Sequence, residues 1–398
     1  MISLSERVRK MDVNISAEFR SQLESFKRAG RPIISLNVGE PDFNTPEHIC
    51  QAAIEAIEQG FTQYTPIEGI YELREAICTK LREENHVEYR PEDIIASTGA
   101  KQVLANALYA ICNEGDEVLI PTPCWGSYPE MVKLIGATPV FVNTEEPGGA
   151  VLTADKIKQH VTSKTKAIIL TNPHNPTGAV YSRDLLREIG NLAHECNFYI
   201  ISDEIYEYLT YEGEFFSIAS ISSAIKAKTI TVNGLSKAFA MTGWRVGYAA
   251  GPKPVIDAMR LIQSYTTSNM NSISQKAAVA ALVSSKESIK HMVQEFDRRR
   301  RFIVQRLQRI DGLFFLNPQG AFYIMVNVSL YFGKSYKDYM IRNSMDFVMY
   351  LLNETNVLVS PGVIFEAADY VRISYSNSLQ NLEIAMDRME KALALLTD

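Results

Sequence analysis

Three short apolar runs, each ending in polar residues, recur along the middle of this chain. KAIILTN leads into residues 172–178, FYIIS leads into Asp203, and TITVNG leads into Lys237. The runs are about thirty residues apart, which leaves room for a crossover through one helix between parallel strands. Because the carboxyl ends of parallel strands meet at one edge of a sheet, this spacing predicts an α/β fold with a ligand site at that edge.

The same alternation continues on both sides of these runs and predicts two domains. DIIAST, DEVLIP and ATPVFVN precede them, separated by helical patterns. Further on, Ser284 and Glu287 have the spacing of a capping box and predict the start of a long helix. GAFYIMVNV, VLVSPG and VRISYS then indicate more strands. We predict a large domain over residues 48–283, with a mostly parallel sheet flanked by helices, and a smaller α+β domain formed by residues 1–47 and 284–398.

The composition is that of a globular protein and argues against nucleic-acid and membrane roles. The chain has 398 residues, 46% of them hydrophobic, with a net charge of -6 and a pI near 5.7. No basic field attracts nucleic acid, and no apolar run approaches the roughly 20 residues that span a bilayer. The run Arg298–Arg301 is interpreted as a solvated face or as interdomain salt bridges. Residues 1–16 are charged and lack the apolar core of a signal peptide, so we expect a cytoplasmic location.

The cysteines and histidines indicate neither disulfides nor a metal site. Five cysteines are scattered without a C-x-x-C pair, and six histidines are equally dispersed. A disulfide framework would need an even, patterned set of cysteines, and a zinc site would need clustered ligands. We therefore expect no metal.

Lys237 follows a β-branched strand directly, and a lone lysine in that position is more often a surface residue than a catalytic one. The other strand ends change this interpretation. An aldehyde cofactor with a protonatable ring needs a lysine for the Schiff base, a carboxylate for the ring nitrogen and donors for the phenolic oxygen. Lys237 can supply the first and Asp203 the second. Tyr206 and Asn175 can supply the third.

A phosphate on such a cofactor would need cations and hydrogen-bond donors at one end of the site. Arg245 lies eight residues after Lys237, with Ser236 beside the lysine, and an arginine fork suits a phosphate. Further donors would come from the backbone at the start of a helical pattern, at Gly99, Ala100 and Lys101. Trp125 could stack on the cofactor ring, although a tryptophan in a loop is often simply packed.

Several segments of the chain resemble the motifs of one enzyme family and occur in that family's order. They are NVGEPDFNTPEH, QYTPIEGIYELREAI, STGAKQVL, PTPCWGSYPEM, NPHNPTG, SDEIYEYL, NGLSKAFAMTGWRVGY, GAFYIM and VRISYS. Over nearly its whole length the chain is similar to the fold-type I, class I aminotransferases that use pyridoxal 5'-phosphate (PLP). Within that family it most resembles the bacterial aspartate-aminotransferase-like subgroup.

The resemblance implies a role for each matched position. The cofactor would be held by the residues already proposed from the strand ends, namely Asn175, Asp203, Tyr206, Ser236, Lys237 and Arg245. The catalytic residues among them would be Lys237, Asp203 and Tyr206. Trp125 is expected to stack on the cofactor ring. The family is dimeric, and Tyr64 is expected to reach the phosphate held by the partner subunit of a homodimer.

Further matched positions are expected to bind the substrate. Arg372 matches the arginine that pairs with the substrate α-carboxylate, and Gly39 matches a backbone contact to the same group. Trp125 and Asn175 are expected to border the substrate as well. From the residues alone, an arginine in an apolar strand could also belong to a structural salt bridge.

The substrate side chain is expected to depend on Lys101. In the resembling subgroup a lysine at this position is associated with a second carboxylate, which favours aspartate, glutamate and their 2-oxo acids. Alternatively, Lys101 is a solvent-facing residue at a helix start. Cys124 and His174 stand where tyrosine and asparagine are common in the subgroup, and they leave the specificity open.

The predicted function is therefore transfer of an amino group between an L-amino acid and a 2-oxo acid such as 2-oxoglutarate, by a PLP Schiff base on Lys237. The alternatives on the same fold are an aromatic or other amino-acid aminotransferase and a PLP-dependent C–S lyase. A PLP-binding regulator would need an added DNA-binding module, for which we expect no room. A nicotinamide oxidoreductase would need G-x-G-x-x-G between a strand and a helix, and the sequence contains no such run.

Overall fold

The computed structural model describes residues 5–11, 24–26, 28–146 and 149–397. Its strands within these ranges are β1 (Ile34–Ser35), β2 (Ile94–Thr98), β3 (Glu117–Thr122), β4 (Thr138–Asn143), β5 (Glu145–Glu146), β6 (Gly149–Ala150), β7 (Thr165–Thr171), β8 (Tyr199–Asp203), β9 (Thr229–Gly234), β10 (Val246–Ala250), β11 (Phe314–Phe315), β12 (Tyr323–Asn327), β13 (Ser335–Tyr336), β14 (Tyr339–Met340), β15 (Val357–Leu358), β16 (Ser360–Pro361) and β17 (Tyr370–Ser374). Its α-helices are α1 (Glu6–Arg9), α2 (Glu47–Glu58), α3 (Tyr71–Asn85), α4 (Ala100–Ile111), α5 (Ser127–Leu134), α6 (Ala154–Lys158), α7 (Arg183–Glu195), α8 (Ser223–Lys226), α9 (Lys253–Thr266), α10 (Ser272–Val283), α11 (Glu287–Leu307), α12 (Ser344–Thr355) and α13 (Leu379–Leu393).

The largest sheet has seven strands in the order β2-β10-β9-β8-β7-β3-β4. β10 runs antiparallel to both of its neighbours, and the other adjacent strands are parallel. β7, β8 and β9 lie side by side, so their carboxyl ends open at one edge of the sheet, as the sequence predicted. The register pairs Thr171 with Asp203 and Asp203 with Val232, which brings the three strand ends level with one another.

Helices cover both faces of this sheet, which explains why its central strands are apolar along their length. β9 and β10 are buried at every position. On α7, Leu186, Ile189 and Ala193 recur at helical spacing and share one core cluster with Ile168 and Ile200 of the strands. Two further clusters join the sheet to α2, α3 and α10 and to α4, α5 and α9.

A second unit is built on a four-stranded antiparallel sheet of order β11-β12-β17-β16. α11, α12 and α13 pack around it, and Phe296, Leu352 and Met386 lie in its core. Near the start of the chain, β1 pairs in parallel with β15 through Ile34 and Val357. Segments from both ends of the chain therefore meet here. This arrangement confirms the predicted fold class, a large mostly parallel sheet flanked by helices plus a smaller α+β part.

The predicted domain boundaries at residues 47/48 and 283/284 stay a prediction. Part of the N-terminal segment, residues 1–4 and 12–23, lies outside the described residues, and α1 contacts α5 in the layer that covers the large sheet. In the described part of the chain, no helix has the length and apolar character needed to cross a membrane. The same residues contain no group of three or more metal-ligating side chains.

The start of α11 differs from the sequence-based expectation. The helix begins at Glu287 after Lys286, and no side chain caps its first turn. The Ser284 hydroxyl instead donates to the carbonyl of Ala280, in the last turn of α10. The predicted capping box is therefore wrong, because the serine bonds back to the preceding helix and is no longer available to the next one.

Candidate active site

A cavity of ≈ 340 Å³ opens at the carboxyl ends of β7, β8 and β9. Pockets of this size hold small ligands and cofactors. Most of the predicted site residues line it: Gly39, Ala100, Lys101, Trp125, Asn175, Asp203, Tyr206, Ser236, Lys237, Arg245 and Arg372. Residues to which the sequence assigned no role line it as well: Leu104, Tyr128, Thr171, Ile205, Thr242 and Tyr323.

Lys237 lies just beyond β9, and its Nζ donates to the carbonyl of Gly39 at 2.6 Å. Nζ is also 6.0 Å from the centroid of the Tyr206 ring. Burial lowers the pKa of Lys237 to about 8, the Glu40 carboxylate opposes this shift, and the positive charge of Arg372 adds to it. A substantial fraction of the amine is therefore neutral in mildly alkaline solution, which is the form that can act as a nucleophile or a base.

Asp203 ends β8 and is buried on the floor of the cavity. The hydroxyl of Tyr128 donates to its Oδ2 at 2.7 Å, and the backbone N–H of Ile205 donates to Oδ1 at 3.3 Å. Burial raises the pKa of Asp203 to about 6, while the Tyr128 hydrogen bond and the charge of Lys237 hold it down. The group is thus an ionised but poorly solvated carboxylate at neutral pH, a good counterion for a cation in the cavity.

Two tyrosines meet beside Lys237. The hydroxyls of Tyr206 and Tyr323 are 2.9 Å apart and form a hydrogen bond, and burial raises the pKa of both. Tyr323 comes from β12, in the smaller part of the fold. A Cβ on Gly39 would overlap the Tyr323 hydroxyl, so only glycine allows the chain at residue 39 to approach this closely.

Arg372 is a buried arginine on β17 with an incomplete set of partners. Its Nη1 donates to Asn175 Oδ1 at 3.0 Å and its Nη2 to the carbonyl of Asn37 at 2.7 Å. The guanidinium lies between the rings of Tyr323, at 4.2 Å, and Phe365, at 4.5 Å. Its Nε has no hydrogen-bond partner among the described residues, and no carboxylate there forms an ion pair with it. A structural salt bridge therefore does not account for this arginine within the part of the chain that is described.

One end of the cavity is rich in groups that can hold an anion. Gly99 precedes the first turn of α4 with a φ of 81°, a conformation that favours glycine. A Cβ on Gly99 would overlap the guanidinium of Arg245, so this fork lies against the N-terminus of α4. Arg245 is further fixed by donation from Nη1 to the Thr242 carbonyl at 2.9 Å. Ser236 completes this end of the cavity wall.

Lys101 and Trp125 form another wall. The ammonium of Lys101 lies 4.7 Å from the centroid of the Trp125 ring and 3.3 Å from Ser127 Oγ. Burial, followed by the charge of Arg245, lowers the pKa of Lys101. Trp125 meets Tyr128 edge to face, with ring centroids 5.3 Å apart.

Three residues named in the sequence analysis lie away from the cavity. Tyr64 is 91% exposed and touches no part of the site in its own chain. Cys124 is buried in a core cluster. His174 Nδ1 bonds the Thr177 hydroxyl at 2.7 Å and its ring faces Tyr181, and burial lowers its pKa to about 4. Neither Cys124 nor His174 is thus placed to select a substrate directly.

Sequence reasoning missed Tyr128 and Tyr323. Tyr128 follows Trp125 by three residues and lies in the first turn of α5, where its N–H donates to the Trp125 carbonyl and the two rings come into contact. That spacing was the available signal for Tyr128. Tyr323 lies in the apolar segment GAFYIM, where an aromatic residue is expected to pack in the core. No neighbouring residue in the sequence indicates that its hydroxyl belongs to the site.

The set of groups fits PLP. A partly neutral lysine, a buried carboxylate, phenolic and amide donors, and an anion-binding end with an arginine occur in one cavity. These are the groups that an aldehyde, a protonatable ring nitrogen, a phenolic oxygen and a phosphate require. No residue that lines the cavity places an unpaired carboxylate at the anion-binding end.

Replacing Asp203 with asparagine should stabilise the cofactor-free protein at neutral pH. Because the pKa of Asp203 is about 6 when folded and near 3.8 when unfolded, the folded state binds more protons in this window, and wild-type stability falls as the pH rises through it. Asparagine is not ionised, so its advantage should grow by up to about 3 kcal/mol between pH 4 and 7. Urea denaturation at each pH measures this difference.

The control is Asp184→Asn, since the Asp184 side chain is 80% exposed on α7. Its effect should stay within about 0.5 kcal/mol of wild type at every pH. An advantage of Asp203→Asn that is the same at pH 4.5 and pH 7 would contradict the raised pKa.

The chain also matches known proteins along its whole length. Residues 31–389 match the family model for class I and II aminotransferases. The chain is 43% identical over 389 residues to an aspartate aminotransferase of Bacillus sp. (strain YM-2), covering 98% of each. It is 46% identical over 383 residues to a probable aspartate/prephenate aminotransferase of Rickettsia bellii (strain RML369-C), covering 96% of each.

A solved structure leads to the same conclusion. The aspartate aminotransferase from Rhizobium meliloti superposes with a TM-score of 0.96 at 39% identity, covering 100% of both chains. With the sheet order and the cavity described above, these matches establish the family. The chain belongs to the class I and II aminotransferases, PLP-dependent enzymes that transfer an amino group between an amino acid and a 2-oxo acid.

Proposed function

We propose that this aminotransferase acts on L-aspartate or L-glutamate, with a 2-oxo acid such as 2-oxoglutarate as acceptor, and that the cavity beneath Arg372 is its active site. One observation carries the proposal. Lys237 and Arg372 both line the cavity. The pKa of Lys237 is lowered, and the buried Arg372 has no carboxylate partner among the described residues. The first group suits amine chemistry, and the second suits the α-carboxylate of an amino acid.

The ring end of PLP would be held by residues from three neighbouring strand ends. Lys237 Nζ would hold the aldehyde carbon, and Asp203 would hold the proton of the ring nitrogen. Tyr206 and Asn175 would donate to the phenolic oxygen, and Trp125 would lie against the ring face. When bound, PLP supplies an electron sink that accepts the electron pair left as the Cα–H bond of the amino acid breaks.

The phosphate of PLP would lie at the anion-binding end of the cavity. Arg245 offers a guanidinium fork and Ser236 a hydroxyl. The N-terminus of α4 adds backbone donors, at Gly99, Ala100 and Lys101. Because α4 has 12 residues, its aligned peptide dipoles favour an anion at this end.

Lys237 would also move the substrate proton. Once an amino acid has displaced it, its Nζ is free to accept the proton from Cα and to release it later in the reaction. This requires a neutral amine, and burial supplies it by lowering the pKa to about 8. The Gly39 carbonyl, 2.6 Å from Nζ, orients the amine within the cavity.

Arg372 and Gly39 would hold the α-carboxylate. The desolvated guanidinium of Arg372 has an unpartnered Nε, so a bound carboxylate would give it both a counterion and a hydrogen-bond acceptor. Asn175 and the Asn37 carbonyl already fix the orientation of its two terminal nitrogens. A bidentate contact would hold the substrate with its Cα within reach of Lys237.

Replacing Lys237 with alanine should lower kcat by at least about 10³-fold, because covalent attachment and proton transfer are lost together. Oxaloacetate formed from L-aspartate and 2-oxoglutarate measures the rate. Lys286→Ala is the matched control, since burial also lowers the pKa of Lys286 but the residue lies outside the cavity.

Lys286→Ala should keep its rate within about threefold of wild type, as expected for a change away from the site. A Lys237→Ala protein that works at the wild-type rate would rule out this assignment. Ammonia released from an amino acid without any 2-oxo acid would favour the C–S lyase alternative.

We propose that Lys101 recognises the second carboxylate of the substrate. Its ammonium lies at the cavity wall beside Trp125 and Ser127, not away from the site. A second substrate carboxylate at this wall would pair with the Lys101 ammonium, which otherwise contacts only the Ser127 hydroxyl and the face of the Trp125 ring among the contacts described above. The names of the relatives, aspartate and aspartate/prephenate aminotransferases, support the same preference.

Replacing Lys101 with alanine should separate acidic from neutral substrates. We expect kcat/KM for L-aspartate to fall about 10- to 100-fold, as for loss of one charged contact, with little change for L-phenylalanine. Lys253→Ala, at the exposed start of α9, should change neither. Equal losses for both amino acids would instead favour the interpretation of Lys101 as a helix-start residue.

We also propose a homodimer in which Tyr64 completes the partner's phosphate site. Tyr64 is 91% exposed, and other apolar side chains of α2, α3 and α9 are exposed too: Ile54, Ile57, Tyr71, Leu261 and Tyr265. Large exposed apolar side chains in such number are typical of an interface. A cytoplasmic location stays a sequence-based prediction.

Mixing two variants tests this arrangement. Lys237→Ala and Tyr64→Ala homodimers should each be weak, because one lacks the amine and the other a phosphate contact. When equal amounts of the two variants are unfolded and refolded together, about half of the dimers contain one subunit of each. Every such mixed dimer has one complete site, with Lys237 from one subunit and Tyr64 from the other. Activity should therefore recover to about a quarter of wild type. Absence of recovery, or a monomer in sedimentation analysis, would contradict the proposal.

A further inference from the structure

A segment that we call the strap, residues 36–45, contributes Gly39 to the cavity wall and is bound to the turn that follows Lys237. Lys237 Nζ donates to the Gly39 carbonyl, and the Thr242 hydroxyl donates to the Glu40 carboxylate. Further along, the Thr45 hydroxyl donates to the Ala240 carbonyl at 2.7 Å. These contacts hold the strap to the cofactor side of the site.

On its other side the strap is bound to β17 and the residues after it. The N–H of Ser374 donates to the Leu36 carbonyl at 2.7 Å, and the Ser376 hydroxyl donates to the Val38 carbonyl at 3.3 Å. Arg372 Nη2 donates to the Asn37 carbonyl. The strap therefore links the two groups that would grip the substrate carboxylate, the backbone of residue 39 and the side chain of Arg372.

Arg299 of α11 is tied to both the strap and the chain after β17. It is 5% exposed. Its Nη1 donates to Asp42 Oδ1 at 2.6 Å and to the Ser376 carbonyl at 3.0 Å, and its Nε donates to Glu295. Its guanidinium carbon lies 5.2 Å from the centroid of the Phe43 ring. The buried Arg299 guanidinium thus holds the strap against the residues that follow β17.

We propose that Arg299 is a positioning residue of the active site, which acts through Asp42 and Ser376 to hold Gly39 at the correct distance from Arg372. The inference rests on the proposed function. Neither Arg299 nor Asp42 lines the cavity, so neither can touch the substrate. Their effect is geometric, and a displacement of about 1 Å in a substrate contact is enough to weaken binding or turnover by up to about 100-fold.

The neighbouring residue, Arg300, offers a matched control. It is 6% exposed on the same helix. Its Nη1 donates to Glu212 Oε1 at 2.7 Å and to the Pro318 carbonyl at 3.0 Å, and Asp297 also pairs with it. Loss of Arg300 therefore removes a buried, paired cation without releasing the strap.

The experiment compares Arg299→Gln, Asp42→Ala, the double variant and Arg300→Gln in the PLP-loaded enzyme. We expect the first two to raise KM for L-aspartate about tenfold or more while kcat changes less than about threefold. The double variant should have the same KM as Arg299→Gln alone, because Asp42 acts on the strap through Arg299 and has no further effect once that arginine is gone. Arg300→Gln should leave KM within about threefold of wild type.

An Arg299→Gln enzyme with an unchanged KM would overturn the inference. So would an equal rise in KM for Arg300→Gln, or additive effects in the double variant. Asp42 has a side chain 29% exposed, so Asp42→Ala keeps the test available if Arg299→Gln does not fold.

A second measurement does not depend on activity. Chymotrypsin can cleave the full-length protein after Phe43, within the strap, since Asn44 follows it. Relative to cleavage after the other aromatic residues, this cut should become at least about tenfold faster in Arg299→Gln and Asp42→Ala, and not in Arg300→Gln. Faster cleavage with an unmoved KM would mean that Arg299 holds the strap without positioning Gly39, and would overturn the inference.

The two proposals fail in distinguishable ways. If wild-type enzyme does not transfer the amino group of L-aspartate or L-glutamate, the proposed function is wrong, and cleavage after Phe43 still reports whether Arg299 holds the strap. If wild-type enzyme is active and the Arg299→Gln KM is unmoved, only the positioning role is wrong.

Discussion

Three ionisable side chains share one small cavity that is largely removed from water, and moving charge out of water costs free energy. Burial lowers the pKa of Lys237 to about 8, raises that of Asp203 to about 6, and lowers that of Arg372. Each group is displaced toward its neutral form. A ligand that brings a cation to Asp203 and a carboxylate to Arg372 would relieve these costs. Desolvation of these side chains therefore favours a ligand that carries the complementary charges.

Strand alternation keeps a second carboxylate out of this cavity. Asp203 and Glu204 are adjacent, yet Asp203 lines the cavity while Glu204 accepts from the hydroxyls of Ser202, at 2.9 Å, and Ser217, at 2.8 Å. Successive residues of a strand point to opposite faces, so the two acids occupy different environments. Burial raises the pKa of Glu204 to about 8, so it is mostly protonated at neutral pH and adds little charge behind the site. Asp203 is then the carboxylate that lines the cavity near Lys237, while the Glu40 carboxylate also acts on that lysine.

The smaller part of the fold contributes one wall of the cavity through a small number of contacts. Tyr323 of β12 bonds Tyr206, and its hydroxyl packs against the backbone of Gly39. The strap lies between β17 and the turn after Lys237, and the Arg299 guanidinium donates both to Asp42 within it and to the Ser376 carbonyl after β17. The run Arg298–Arg301 contains both of its sequence interpretations: Arg298 and Arg301 are exposed, whereas the buried Arg300 pairs with Glu212 of the larger part of the fold. In the proposed site, substrate binding and the packing of the two parts of the chain would therefore depend on the same residues.

By itself, the sequence determined which residues end the strands of the large sheet, since apolar runs and the polar residues beyond them are local patterns. It therefore predicted the α/β fold and the meeting of Asn175, Asp203 and Lys237. The local sequence pattern did not reveal Tyr128 or Tyr323. A tyrosine among apolar residues is expected to pack in the core, and the hydrogen bonds of these two hydroxyls, to Asp203 and Tyr206, are visible only in the folded chain. The capping-box pattern assigned Ser284 to the start of α11, but this serine lies between two helices and bonds the last turn of α10.

Only the tertiary structure decided how the chain ends complete the site. The bond from Lys237 to Gly39 spans 198 residues, and that from Arg372 to Asn37 spans 335. Contacts over such separations depend on how the two parts of the fold pack against each other, which no local pattern encodes. The shifts in pKa have the same origin, because they depend on how much water the packed chain removes around each group.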